Sequence, residues 1–245
     1  MSIFYVKNEQ IAENKAVILG EDVKHIRDVL RYKINDDLNI CSEEGIKYQT
    51  KILGFSKEQI DLEIIRKCME TSEPNIKVTL FQGMPKVDKF EWIIQKCTEL
   101  GINEIVPVMT ERVIVKIDEK NLSKKVERWN KIALEASKQS GRQRVPEVKK
   151  PINIKNVVEN LQKYDILLLP YECEKESTIK SVLRNLDKKC KDIAIFIGPE
   201  GGFSEEEVKL LNFDNVKKVT LGQRILRTET AGLVTFAMVL YELEM

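Results

Sequence analysis

The sequence predicts an α/β protein: a small β-rich module, followed by a mostly parallel sheet with helices on both of its faces. Three observations predict it. Short apolar runs broken by turn residues fill roughly the first 72 positions, and beyond them near-continuous apolar runs alternate with segments of helical spacing. The length, 245 residues, is enough for a substantial core and one appended module. A composition of 42% hydrophobic and 32% charged residues belongs to a packed chain, not a disordered one.

The first module is read from Phe4-Tyr5-Val6, Ala16 to Gly20, Asp37 to Cys41, then Gly45, Gly54 and Ile60 to Ile65, with one helix near Asp22–Tyr32. The polar stretch Cys68 to Asn75, ending around Pro74, is the linker, which gives domains 1–72 and 73–245. In the second domain Lys77 to Phe81 is a strand. Val87, Phe90, Ile93, Ile94, Cys97 and Leu100 then keep helical spacing until Gly101 stops the run. Ile105 to Val108 is a strand, and Leu122, Val126, Trp129, Ala133, Ala136 and Ser140 mark a long helix. Asp165 to Leu169, Ile193 to Ile197 and Val216 to Leu221 are further strands, separated by helices near Thr178–Leu186 and Glu205–Leu211. An apolar helix, Ala231 to Leu243, ends the chain.

Composition excludes much chemistry. With 40 Lys+Arg against 39 Asp+Glu the chain is not a globally basic nucleic-acid binder. His25 is the single histidine, which removes the usual Ser-His-Asp hydrolases and multi-His metal sites. Cys41, Cys68, Cys97, Cys173 and Cys190 form no C-x-x-C pair, so no metal site or disulfide framework is expected and the compartment reads as reducing cytoplasm. The longest apolar stretch, Ala231 to Tyr241, is about half of a ~20-residue membrane span, so no membrane partner is expected. Charge is nonetheless uneven: residues 1–72 carry a net of −2, whereas 116–150, from Lys116 to Lys150, carry +6.

Two strand-to-helix turns are unusual, and ligands of open α/β sheets bind where such turns gather. Gly198-Pro199-Glu200-Gly201-Gly202-Phe203-Ser204 packs three glycines, a proline and a carboxylate ahead of a Ser204/Glu207 capping box. It is no P-loop and lacks the dinucleotide spacing, and Glu200 repels phosphate. Leu221 to Ala231 adds Gly222, Arg224, Arg227 and the helix-start cluster Thr228, Glu229, Thr230. Thr228 could simply cap that helix and Glu229 complement its dipole.

Phe196-Ile-Gly-Pro-Glu-Gly-Gly-Phe-Ser204 and Leu221-Gly-x-Arg-Ile-Leu-Arg-Thr-Glu-Thr-Ala231 strongly resemble the E-type small-subunit ribosomal RNA methyltransferases of the SPOUT superfamily. Lys86-x-Asp88-Lys-x-Glu91-Trp92-x-x-Gln95-Lys96-x-Thr98-Glu99-Leu-Gly101, Glu135-Ala-Ser-x-Gln139-Ser-Gly-Arg142-x-x-x-Pro146 and His25-x-x-x-Val29-Leu-Arg31 agree. Asn35-Asp36 departs from the family's usual Gly-Asp.

That resemblance implies a SPOUT-type parallel sheet with a C-terminal trefoil knot, preceded by a PUA-like β-barrel that binds RNA. It implies S-adenosyl-L-methionine as cofactor and methylation of N3 of a specific uridine in 16S rRNA of the small ribosomal subunit. It also implies a cytoplasmic homodimer paired through the C-terminal domain, acting on RNA and not DNA. The cofactor-binding residues would be Leu169, Gly198, Pro199, Glu200, Gly201, Gly202, Leu221, Gly222, Ile225, Leu226, Arg227, Thr230 and Ala231. Arg142 and Arg227 would stabilise the uracil anion, with Glu200 or Glu229 orienting substrate or accepting the proton. RNA contacts would come from Arg31, Lys138, Arg142 and Arg144. A non-catalytic RNA-binding factor would have no use for a cofactor loop, and an NAD- or ATP-using enzyme would need a phosphate loop that is missing.

Overall fold

The computed structural model describes residues 3–115 and 119–244, so Lys116 of the basic segment lies outside the described residues. The chain divides into two compact units: Met1–Glu73 with Ser137–Val145, and Pro74–Ala136 with Pro146–Met245.

The first unit is a five-stranded sheet built from β1 (Ile3–Val6), β2 (Lys15–Leu19), β3 (Asp37–Ser42), β4 (Lys47–Phe55) and β5 (Gln59–Lys67), in the order β1-β3-β4-β5-β2. β1 runs parallel to β3 and the other pairs are antiparallel. Alternation sends Leu38, Ile40, Ile52, Ile60 and Leu62 inward, onto Phe4, Ile18 and Ile26. β4 went unread in the sequence, because only Thr50 and Ile52 of its nine residues are fully buried. The predicted helix is α1 (Glu21–Lys24), which continues into a wider π-type turn over His25–Val29. Asn35 takes φ 73°, the left-handed region that glycine favours and Asn tolerates best of the other residues, so the departure from Gly-Asp keeps the turn.

Residues 137–145 complete this unit, which the linear division at residue 72 did not anticipate. The Glu73 carboxylate is their anchor: it accepts hydrogen bonds from the backbone N–H of Gln143 (2.9 Å) and Arg144 (3.1 Å) and from the Arg142 guanidinium. Tyr5 donates its hydroxyl to the Arg142 carbonyl at 2.8 Å, and the Cys41 thiol lies 3.1 Å from the Gln143 carbonyl.

The second unit holds β6 (Lys77–Gly83), β7 (Glu104–Met109), β8 (Glu147–Val148), β9 (Ile152–Asn153), β10 (Ile166–Pro170), β11 (Asp192–Ile197) and β12 (Val216–Val219). They form one sheet in the order β12-β10-β11-β6-β7-β8, with β9 also on β7, and every pair is parallel. Both faces are covered, as the unbroken apolar strands predict. Ile166, Leu168, Ile193 and Ile195 face one layer, formed by α2 (Val87–Leu100), α3 (Glu119–Ser140), α5 (Ile179–Arg184) and α7 (Thr228–Leu243). Leu167, Leu169, Ala194 and Phe196 face the other, with α4 (Ile154–Glu159) and α6 (Glu205–Leu210). Gly101 ends α2 at φ 102°, and a Cβ there would lie 2.8 Å from Pro74. β12 lies beside β10 and not beside β11, so the chain crosses over between them.

Candidate active site

A cavity of about 890 Å³ opens beyond the carboxyl ends of β10, β11 and β12. Its walls come from both turns singled out in the sequence: Gly198, Pro199, Glu200, Gly202 and Phe203 from one, and Thr220 to Thr228 with Ala231 from the other. Pro170, Tyr171 and Lys89 also line it. The position is the one expected of a ligand site in an open parallel sheet.

Close backbone approach builds the first turn. A Cβ on Gly83, the last residue of β6, would sit 2.5 Å from the Pro199 nitrogen, so only glycine lets this strand end pass beneath the turn. Gly202 holds φ 68°. Ser204 and Glu207 form the predicted capping box for α6, and the buried Glu207 carboxylate also accepts from the Glu111 N–H at 2.8 Å. Arg112 donates to the Gly201 carbonyl at 2.9 Å.

The second turn is tied to the first through a buried hydroxyl. Thr228 Oγ1 donates to the Gly198 carbonyl at 2.6 Å and accepts from Gln82 Nε2 at 2.8 Å. Thr228 is therefore a bridge between loops. The N-cap of α7 is Arg227, whose side chain makes no capping bond. Gln82 Nε2 also donates to the Gly83 carbonyl, while its Oε1 has no partner.

Charge gathers at Lys89, in the first turn of α2. Its ammonium stands 3.2 Å from Glu200 Oε1 and 3.2 Å from Glu229 Oε2. The Glu229 contact is an ion pair without hydrogen-bond alignment, since that buried oxygen has no aligned donor. Desolvation alone would push the Glu200 carboxyl up, but its own backbone N–H, the Lys89 ammonium and the Lys86 N–H together hold it below its ordinary value. For Lys89, desolvation is outweighed by the two carboxylates, and its pKa is raised.

Most of the cofactor residues named from the sequence meet here, and three do not line the cavity. Leu169 is fully buried in the layer with α4 and α6, because strand alternation turns it away; Pro170 and Tyr171 take that wall. Gly201 packs on Arg112, where a Cβ would lie 3.0 Å from the Arg112 Cβ. Thr230 is half-buried in α7 and outside the lining. Glu229 reaches the site through Lys89, and Arg227 lines it directly.

Arg142 is elsewhere: it belongs to the first unit, is 4% exposed, and its guanidinium is engaged by Glu73. Lys138, in the same unit, pairs with Asp22 at 2.8 Å and lies over the Phe4 ring, 5.9 Å from its centroid. Arg31, at φ 58°, and Arg144 are exposed. The segment of net +6 is thus not one basic face, since two of its cations are neutralised inside the first unit. Gln82, Lys89, Arg112 and Gly83 were not singled out as site residues. A glutamine and a glycine ending the apolar strand Lys77 to Gly83, and a lysine in the first turn of a helix, were the available signals. Among the described residues no cluster of side chains suits a metal ion, and no helix is long and apolar enough to cross a membrane.

A family model described as an RNA methyltransferase domain matches residues 71–240, and one described as an RNA methyltransferase PUA domain matches 18–65. The protein's class is therefore that of the RNA methyltransferases. Ribosomal RNA small subunit methyltransferase E of Bacillus subtilis is 38% identical over 232 residues, covering 93% of this chain and 90% of that protein. Its counterpart in Mesomycoplasma hyopneumoniae is 33% identical, covering 94% and 95%. Ribosomal RNA small subunit methyltransferase E of Neisseria gonorrhoeae, solved bound to S-adenosyl methionine, superimposes with a TM-score of 0.86 at 28% identity, over 98% of this chain and 97% of that one. A Legionella pneumophila protein solved in complex with the bound cofactor SAM gives 0.84 at 29%, over 98% and 96%. The chain belongs to the family of the E-type ribosomal RNA small subunit methyltransferases.

Proposed function

We propose that the protein transfers a methyl group from S-adenosylmethionine to N3 of a specific uridine in 16S rRNA. The observation that carries this reading is the cavity at the strand ends. It is walled by glycine-turn backbone, Leu221, Leu226 and Ala231, it carries an acidic Glu200, and neither of its turns has a P-loop sequence. That set fits a ligand with an adenine edge, ribose hydroxyls and a cationic sulfonium but no phosphate. When bound, the cofactor supplies an electrophilic methyl group, and a neutral thioether remains after transfer.

N3 of uracil carries a proton at neutral pH, which must leave as the new N–C bond forms. Arg227, on the cavity wall, is placed to stabilise the negative charge that develops on the uracil. Glu200, held ionised and weakly basic, suits orientation better than proton acceptance. Glu229, outside the cavity lining and held through Lys89, has on this reading an orienting part, and the N3 proton leaves to solvent. Arg142 has a supporting part here, locking residues 137–145 onto Glu73 in the RNA-binding unit. Phosphate contacts fall to the exposed Arg31 and Arg144.

The reading includes a trefoil knot in the C-terminal chain, supported by the crossover that sets β12 beside β10. It also includes a homodimer through α7. That helix turns Gly232, Thr235, Phe236 and Val239 inward and leaves Met238 36% and Tyr241 69% exposed, an apolar stripe that a second copy would cover. Incubation with labelled S-adenosylmethionine and small ribosomal subunits, followed by nucleoside mapping, tests the activity. The expected product is 3-methyluridine at one position; label at another atom, or none, refutes it.

A further inference from the structure

We infer that Glu200 and Glu229, gathered on the Lys89 ammonium, make the cavity prefer the positively charged methyl donor to the neutral thioether left after transfer. The inference rests on the reading of this cavity as the S-adenosylmethionine site. It concerns which side chains set the selectivity, and hence how product leaves.

Lys89 stands in the first turn of α2, where the positive end of the helix dipole disfavours a cation. What holds it there is a pair of carboxylates from two other elements, the turn after β11 and the first turn of α7, each at 3.2 Å. Two carboxylates on one ammonium leave one surplus negative charge. The three side chains are 35% (Glu200), 16% (Glu229) and 29% (Lys89) exposed, so this charge is only partly screened. Lys89 and Glu200 both line the cavity. The other charges on its wall, Arg224, Arg227, Glu172 and Lys175, are exposed, and the half-buried Glu174 carboxylate is taken up by the N–H groups of Glu176 and Ser177. They are of both signs and better screened, which leaves the Lys89 cluster as the main source of selectivity between two ligands that differ by one positive charge.

A surplus unit charge several ångströms from a sulfonium in a half-exposed setting is worth roughly tenfold in affinity. The test measures dissociation constants of S-adenosylmethionine and S-adenosylhomocysteine by calorimetry at pH 8, for the wild type and for Glu200→Gln, Glu229→Gln, Lys89→Met and Lys89→Arg. The wild type should favour the sulfonium by about tenfold at low salt and less at high salt. Either glutamine variant should bring the ratio toward one. Lys89→Met should raise it, because the cluster gains a net negative charge, and Lys89→Arg should preserve it.

A purely structural brace gives a different result: every variant weakens both ligands alike and the ratio stays fixed, which overturns the inference. Equal wild-type affinities for the two ligands overturn it as well, while leaving the proposed activity standing. A wild type that binds neither ligand overturns the activity reading itself. Thermal melts identify any variant that does not fold, and the two glutamine substitutions, being isosteric, give the charge test independently of each other.

Discussion

Replacing Thr228 with valine tests whether the two cavity turns act as one unit. Thr228 is 7% exposed, and valine keeps its shape while removing the hydroxyl, which makes two hydrogen bonds, to the Gly198 carbonyl at 2.6 Å and from Gln82 at 2.8 Å. Each such bond is worth about 1 kcal/mol net, and a carbonyl left without its donor adds about 1 kcal/mol. Gln82 Nε2 keeps its bond to the Gly83 carbonyl, so its own penalty is partial. The sum is about 2–3 kcal/mol, or about 5–10 °C in Tm for a chain of this size. Differential scanning calorimetry reads the stability, and titration with S-adenosylmethionine reads the site. Affinity should fall together with Tm, and Thr228→Ser should recover most of both. A Thr228→Val protein with wild-type Tm and wild-type affinity would refute the bridge.

Gly83→Ala should destabilise by about 1–3 kcal/mol and weaken cofactor binding, because its Cβ would meet Pro199 backbone at 2.5 Å; an unshifted urea midpoint counts against that close approach. Glu73→Ala should cost about 3–5 kcal/mol by stranding the buried Arg142 guanidinium, and adding Arg142→Met should restore part of it; a double mutant no better than the single refutes the ion-pair account. In RNA binding, Arg31→Ala or Arg144→Ala should each reduce the salt slope by about one, while Lys138→Ala, whose cation is already paired with Asp22, should leave it unchanged. In maleimide labelling at pH 8, Cys173 is exposed and should react first. Burial pushes the Cys41 thiol up to about 11 and the Cys97 thiol up to about 12, so both should stay unlabelled in the native protein, and early labelling of Cys97 would show that the α2 packing opens.

Of the second unit's strands, β6, β7, β10 and β11 were legible because strands covered on both faces are written as largely apolar runs, whereas the two-residue β8 and β9 carry too short a pattern to be read. Gly101 and the Ser204/Glu207 box marked helix ends for stereochemical reasons that need no tertiary context. The two cavity turns were legible from glycine density. What stayed hidden depends on distance in sequence: nothing near Thr228 announces that its hydroxyl reaches Gln82, 146 residues earlier. Leu169 looked like a cavity wall because the run Ile166 to Leu169 carries no polar mark to say which face is which. The basic segment misled for the opposite reason, since charge counting cannot see that Asp22 and Glu73 cancel two of its members.

The return of residues 137–145 into the first unit has a consequence for how the protein is made. On the ribosome the first 73 residues emerge long before Arg142 and Gln143, yet those later residues supply the partners of Tyr5, Cys41, Ser72 and Glu73. The hydrogen bonds of the N-terminal module therefore stay incomplete until the residues just beyond α3 have been synthesised, and a truncation at residue 72 removes Glu73 and the partners of Tyr5, Cys41 and Ser72. The module is consequently not a detachable accessory: insertions, fusions or deletions that treat residue 72 as a seam cut through one folding unit, and the seam that respects the structure has three crossings, at residues 73, 136 and 145.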